Sequence, residues 1–223
     1  MKTEIASNFY NNAGVPDQNI QFSEKSTRLM NKIRGYCEDL FYPNVKVLDI
    51  GCGNGRYLFE FEKMDAIATG IDCAEKVVEY AKNFAKKINS TSEFIACDAI
   101  DMPFQDNSFD LIFLVSNNIV EYSYNDIDEL CKQIVRILRP NGVFCVSIQD
   151  MFIQKNGKIY DINNYCFEIG TITSHYTIPD KGTFLYQYYY WTVAIARFIF
   201  SKYFNKINIK KEDDKDFWIE CRK

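Results

Sequence analysis

The sequence predicts an α/β protein with a mostly parallel sheet between helices, and three observations carry that prediction. From Pro43 to Gln149, short β-branched runs alternate with helical periods, the pattern of parallel strands joined by crossover helices. The first of those runs leads through a glycine-rich turn into a helix. The chain then closes with two strand-like runs around a short charged loop, which predicts an antiparallel hairpin at one end of the sheet.

Each element has its own warrant. Leu29, Ile33, Cys37 and Leu40 recur at helical spacing ahead of the sheet. Strands are expected at 45–50 (VKVLDI), 67–72 (IATGID), 93–98 (EFIACD), 110–115 (DLIFLV) and 143–148 (VFCVSI). Between them, Val77, Ala81, Phe84 and Ile88 make one apolar helix stripe, and Ile127, Leu130, Cys131, Ile134 and Leu138 make another. The second helix has Asp126, Asp128 and Glu129 at its start and Arg136 and Arg139 at its end, as the macrodipole favours, and the turn RPNG stops it. After Asp150 the pattern becomes that of a hairpin, TITSHYTIP (171–179) and TFLYQYYYW (183–191) flanking the turn Asp180-Lys181-Gly182. In its second arm Phe184, Tyr186, Tyr188 and Tyr190 share one face, and Tyr189 and Trp191 the other. Core packing, a dimer contact and an aromatic substrate wall explain these rings equally well. A helix from about Trp191 to Tyr203 follows, then NKINIK (205–210) and DFWIEC (216–221) around the loop KEDDK.

The 223 residues fit one domain, and the 47% hydrophobic and 25% charged composition is that of a globular protein, with 16% aromatics an unusual excess. The net charge of −4 argues against a broad nucleic-acid footprint. Lys202, Lys206, Lys210 and Lys211 read as a solvated face. Eight scattered cysteines without a CxxC pair read as reduced thiols rather than disulfides or a metal site, so no metal is expected. The N-terminus lacks a signal-peptide core, and VAIARFIF, interrupted by Arg197, is too short to span a bilayer. The expectation is a soluble, cytoplasmic protein without a membrane partner.

The chemistry lies in VLDIGCGNGRYL (47–58), whose strand, turn and helix turn backbone N–H groups outward at the carboxyl edge of the sheet. A dinucleotide fingerprint is GxGxxG. Here Arg56 holds the sixth position and the third glycine comes one residue early, giving GxGxG. Three acids narrow the ligand. Asp49, just before the turn, would repel a pyrophosphate and attract an α-ammonium group. Asp72 ends the second strand, where a carboxylate accepts two hydrogen bonds from a ribose diol, and Asp98 ends the third, where it could accept from an adenine amine. The ligand that satisfies this set has an amine, a ribose and an adenine but no phosphate, which is S-adenosylmethionine.

With these residues the chain resembles the class I, Rossmann-like S-adenosylmethionine-dependent methyltransferases. VLDIGCGNGRYL matches the family's first motif, GIDCAEKVVEYA (70–81) its second, and ACDAIDMPFQDNSFDLIF (96–113) its third and fourth. LCKQIVRILRPNGVFCVSI (130–148) matches its next helix, turn and strand. The resemblance implies a three-layer fold on a seven-stranded sheet of order 3-2-1-4-5-7-6 with an antiparallel last strand, plus a small C-terminal hairpin insertion. It implies that Asp49, Gly51, Gly53 and Gly55 surround the methionine part, that Asp72 holds the ribose with Cys73 beside it, and that Asp98 and Ala99 border the adenine. Cys73 also reads, with Cys52 and Cys97, as small buried filler. Ser116 falls where the family often lines the sulfonium, and Phe9 and Tyr10 lie in a segment that often forms a lid. The chain then divides into an N-terminal lid and helix (1–42), a cofactor-binding core (43–150), an insertion that caps the acceptor (151–191) and a closing helix and hairpin (192–223), all in one domain.

One departure concerns the reaction centre. Relatives often carry a segment like NVLEH after the fourth strand, whereas this chain has Asn118-Ile119-Val120-Glu121-Tyr122, so no catalytic base is carried over. His175, the sole histidine, is a weak candidate, beside Glu121, a tyrosine or solvent. The leading expectation is methyl transfer to a small-molecule acceptor by in-line displacement, nucleic acid being disfavoured and a homodimer left open. The alternatives are a wobble-uridine tRNA methyltransferase and a catalytically silent partner subunit.

Overall fold

The computed structural model describes residues 2–13, 24–150, 165–166, 170–178, 182–212 and 216–223. Its main sheet contains β1 (Lys46–Ile50), β2 (Ile67–Asp72), β3 (Glu93–Ala96), β4 (Phe109–Leu114) and β5 (Leu138–Gln149), all parallel. A small second sheet holds β6 (Tyr165–Cys166), β7 (Thr171–Ile178) and β8 (Gly182–Tyr189), and the main sheet is completed by β9 (Lys206–Lys211) and β10 (Asp216–Arg222). The main order is β3-β2-β1-β4-β5-β10-β9, with β10 antiparallel to both neighbours. Once the insertion strands are set aside, this is the 3-2-1-4-5-7-6 order that the resemblance implies.

The helices are α1 (Lys2–Ala13), α2 (Glu24–Cys37), α3 (Arg56–Glu62), α4 (Glu75–Lys87), α5 (Tyr124–Ile137) and α6 (Val193–Phe200). They cover both faces, and each face has its own apolar cluster. Phe59, Phe61, Phe84, Phe113 and Trp218 belong to one; Ile112, Phe144, Leu130, Ile134 and Phe200 belong to the other. Strand β4, central and covered on both sides, is apolar almost throughout, as a buried parallel strand must be. Each fully buried large side chain contributes roughly 1.5–3 kcal/mol, so the layers need no metal or disulfide to hold.

Several expected boundaries move. Strand β3 stops at Ala96, which leaves Asp98 in the following loop. Helix α5 does end at Ile137, but RPNG lies inside β5, where Asn141 takes a φ of 64° and the pairing with β4 shifts register. The turn residues therefore form a bulge instead of a separate turn. Helix α6 is shorter than the expected span from about Trp191 to Tyr203: Thr192 caps its start, its Oγ1 accepting the Ile195 N–H at 3.2 Å, and it ends at Phe200 with Ser201 as C-cap. The insertion gains a third strand, β6, too short for periodicity to reveal. Asp180 and Lys181 of the expected hairpin turn, and 213–215 of the last loop, lie outside the described residues, as does the side chain of Leu29.

The lysine cluster is only partly a solvated face. Lys210 Nζ donates to Glu220 Oε1 at 2.8 Å and to the Tyr36 carbonyl at 3.4 Å, and Lys202 reaches Asp128 at 3.3 Å. Glu220 is buried, and it also accepts the Trp218 indole N–H at 3.1 Å. Among the described residues no helix is long and apolar enough to cross a membrane.

Candidate active site

The glycine turn begins where β1 ends. The N–H groups of Gly51 and Cys52 donate to the Ile71 carbonyl of β2 at 2.8 and 2.9 Å, which holds the turn at the carboxyl edge of the sheet. Gly51, Gly53 and Gly55 all have positive φ, yet their surroundings differ. A Cβ on Gly51 would stand 2.7 Å from Asn118 Nδ2, and one on Gly55 2.6 Å from the Phe94 ring, while one on Gly53 would meet nothing within 4 Å. Gly53 is thus where a ligand has room to approach the backbone. Gly51 and Gly55 leave space for protein neighbours.

Asp49 lies in β1, 1% exposed, and neither carboxylate oxygen has a hydrogen-bond partner. Burial pushes its pKa up to about 8; the Arg56 guanidinium draws it back and Asp72 adds to the rise. A buried carboxylate without a donor is unfavourable until a cation with N–H groups reaches it. An α-ammonium group meets both requirements, so the residues fit the amino-acid tail of S-adenosylmethionine.

Asp72 ends β2. Its Oδ2 accepts the Gly53 N–H at 3.0 Å and its Oδ1 the Ala74 N–H at 2.9 Å, so one carboxylate ties the glycine turn to the start of α4. Burial raises its pKa, and backbone donors including these two oppose the rise. A carboxylate oxygen accepts more than one hydrogen bond, so both can still serve a ribose diol. Asp98 is half-buried in the loop after β3, and its Oδ1 accepts the Ile100 N–H at 3.1 Å, a local cap. Ala99 is buried with Met102 in the core.

Ser116, beyond β4, has a φ of 61°, and its Oγ accepts from Arg56 Nη2 at 2.7 Å and hydrogen-bonds the Tyr57 hydroxyl. Arg56 also lies 4.8 Å from the centroid of the Tyr57 ring. Arg56 and Asn118 are site residues that sequence reasoning missed. Asn118 Nδ2 donates to the Gly51 and Ile50 carbonyls at 3.0 and 3.4 Å and so locks the turn against the β4 loop. Arg56 had left one signal, its occupation of the sixth turn position. Asn118 had left only its place in the segment that departs from NVLEH.

Helix α1 lies over this site. Ser7 Oγ donates to the Cys73 carbonyl at 3.1 Å, Asn11 Oδ1 accepts the Lys76 N–H at 3.1 Å, and Tyr10 Oη donates to Glu121 Oε1 at 3.1 Å. The Phe9 ring stands 4.7 Å from that of Tyr186 and 6.2 Å from that of Phe184. Burial raises the Tyr10 pKa, as does the neighbouring Glu121, so its hydroxyl stays a donor. Burial, then Asp72, Asp98 and Glu121, push the Cys73 thiol up to about 12. That excludes a thiolate role near neutral pH.

His175 is not brought to these groups. It is exposed on β7 opposite Leu185, on the face that alternates with the one carrying Phe184 and Tyr186 toward α1. Among the described residues, no three His, Cys, Asp or Glu side chains are grouped to hold a metal.

Comparison with known proteins adds a family and a fold. A family model described as a methyltransferase domain matches residues 42–195. A 27-O-demethylrifamycin SV methyltransferase of Amycolatopsis mediterranei is 31% identical over a segment covering 56% of this chain and 46% of that protein. A sterol 4-C-methyltransferase of Caenorhabditis elegans is 34% identical over 46% of this chain and 30% of its own length. The match thus spans less than half the length of these curated relatives. A crystal structure of a protein from Pyrococcus horikoshii superposes with a TM-score of 0.76 at 23% identity, covering 91% of this chain and 92% of that one, which establishes a shared fold.

Proposed function

The chain belongs to the methyltransferase-domain family, and on that premise we propose that it transfers the S-methyl group of S-adenosylmethionine to a small-molecule acceptor. The observation that carries this reading is the buried, unpartnered Asp49 carboxylate beside an accessible Gly53 backbone and the Asp72 carboxylate. That set suits an ammonium group and a diol and offers nothing to a pyrophosphate. The two relatives named above carry small-molecule acceptors in their names, which supports the same class here.

When bound, S-adenosylmethionine supplies a methyl already activated on a sulfonium, so positioning outweighs acid–base chemistry. Asp49 would hold the α-ammonium, the open backbone at Gly53 would leave room for the amino-acid tail, Asp72 would accept from the ribose hydroxyls, and Asp98 and Ala99 would border the adenine. Ser116, fixed by Arg56 and Tyr57, stands where it can line the reacting end. Helix α1, through Ser7, Tyr10 and Asn11, closes the site and excludes water.

Equilibrium binding tests this. The protein should bind S-adenosylmethionine and its demethylated product and not NAD, and Asp72→Ala should weaken both by roughly 10–100-fold through loss of two charge-assisted hydrogen bonds. Binding of NAD, or an unchanged affinity in Asp72→Ala, would sink the reading.

A further inference from the structure

We propose that the methyl acceptor is a positively charged amine on an aromatic or apolar body, its ammonium held at Glu121 beneath rings of α1 and β8. This rests on the methyltransferase reading above and names the substrate class of the same site. Glu121 ends the 3-10 turn Asn118–Glu121 that follows β4, and both α1 and β8 pack on that turn. There the Glu121 carboxylate meets the Tyr10 hydroxyl. Around it the rings cluster: Tyr10 lies 6.3 Å from Tyr186, Phe9 4.7 Å from Tyr186, and Tyr186 5.9 Å from Tyr188. Electron-rich ring faces beside a carboxylate are the combination that recognises an organic ammonium.

Charge points the same way. Tyr10, Cys73 and Tyr122 all lie in the field of Asp72 and Glu121, and the last two also in that of Asp98. The guanidinium of Arg56 is engaged by Ser116 at the glycine turn. With the cofactor bound, its ammonium neutralises Asp49, its carboxylate offsets its sulfonium, and Asp72, Asp98 and Glu121 outweigh the Arg56 guanidinium, which leaves a surplus of negative charge. An ammonium is drawn to that surplus, and a carboxylate or phosphate is repelled.

The step balances without a further reagent. The ammonium gives one proton to the Glu121 carboxylate, which passes it to water. The freed nitrogen lone pair forms the N–CH3 bond as the S–CH3 bond breaks, and that electron pair remains on sulfur as a neutral thioether.

The test uses the full chain loaded with S-adenosylhomocysteine and three probes of similar shape, 2-phenylethylamine, 2-phenylethanol and 3-phenylpropionate, by calorimetry. The amine should bind at least about tenfold more tightly than the alcohol and the acid least. Glu121→Gln, which can still accept from Tyr10, should bring amine and alcohol within about twofold when both are titrated at saturating S-adenosylhomocysteine. Equal binding of amine and alcohol, preference for the acid, no amine binding, or an amine preference that survives Glu121→Gln overturns the proposal. Failure to bind S-adenosylhomocysteine overturns instead the cofactor reading beneath it.

Discussion

In the proposed site, Asp49 would couple cofactor binding to protons. Its folded pKa of about 8 lies above the unfolded value of about 3.9, so between those limits the native state holds the proton that the unfolded chain has lost. Its contribution to stability is therefore complete below about pH 4 and is lost as pH rises through about 8. Asp49→Asn removes that dependence. Relative to the wild type, this variant should melt progressively higher as pH rises from 5 to 8, in thermal denaturation without ligand, while its affinity for S-adenosylmethionine falls about 100-fold or more. A residue that weakens the empty protein and serves the loaded one is a stability–function trade. The glycines separate in the same way. Gly53→Ala should impair cofactor binding at a stability cost of about 1 kcal/mol from its positive φ, whereas Gly55→Ala carries the same backbone strain and should lose about 1–3 kcal/mol more because its Cβ meets Phe94. Equal losses of stability in the two variants would contradict this division.

In the function proposed above, closure depends on helix α1. Its bonds run to the β2–α4 junction and to Glu121, not into the sheet. Removing residues 1–13 should leave the melting temperature within about 2 °C but speed release of S-adenosylhomocysteine about tenfold, read by stopped-flow displacement. An unchanged release rate would show that α1 is not the lid. The position of α1 was partly legible: the family resemblance singled out Phe9 and Tyr10, but not their partners, because Tyr10 and Glu121 are joined only by tertiary packing. The strands were legible since each buried parallel strand is a continuous apolar run. Asp98 was misplaced for the converse reason. The end of β3 is set by where its pairing with Asp72 stops, which no residue pattern announces. Arg56 and Asn118 escaped because their roles lie in contacts across the chain, Arg56 to Ser116 and Asn118 to the Gly51 carbonyl. His175 attracted notice by being alone, and strand alternation then turned it away from the site.

At the scale of the molecule, the proposed cofactor site joins the β1–α3 turn, the β2–α4 junction, the β4 loop and α1, so a ligand bound there would stabilise contacts on several elements at once. S-adenosylhomocysteine at 100 times its Kd should add about 2.7 kcal/mol, or a rise of about 5–10 °C in Tm for a chain of this size. The seven-strand order was expected through the family resemblance that the glycine turn, Asp72 and the RPNG segment carry, and the observed order agrees with it. The acceptor class proposed above had no sequence signal, since the Tyr10–Glu121 and Phe9–Tyr186 contacts form only in the fold. The account as a whole turns on one carboxylate meeting one ammonium. The measurement that tests it most directly is calorimetric titration of S-adenosylhomocysteine at pH 7 in two buffers of different ionisation enthalpy, for wild type and Asp49→Asn. The prediction is release of close to one proton by the wild type, affinity falling about tenfold per pH unit below 8, and no released proton in the variant. Binding without proton release in the wild type, or tight binding that survives Asp49→Asn, would contradict it.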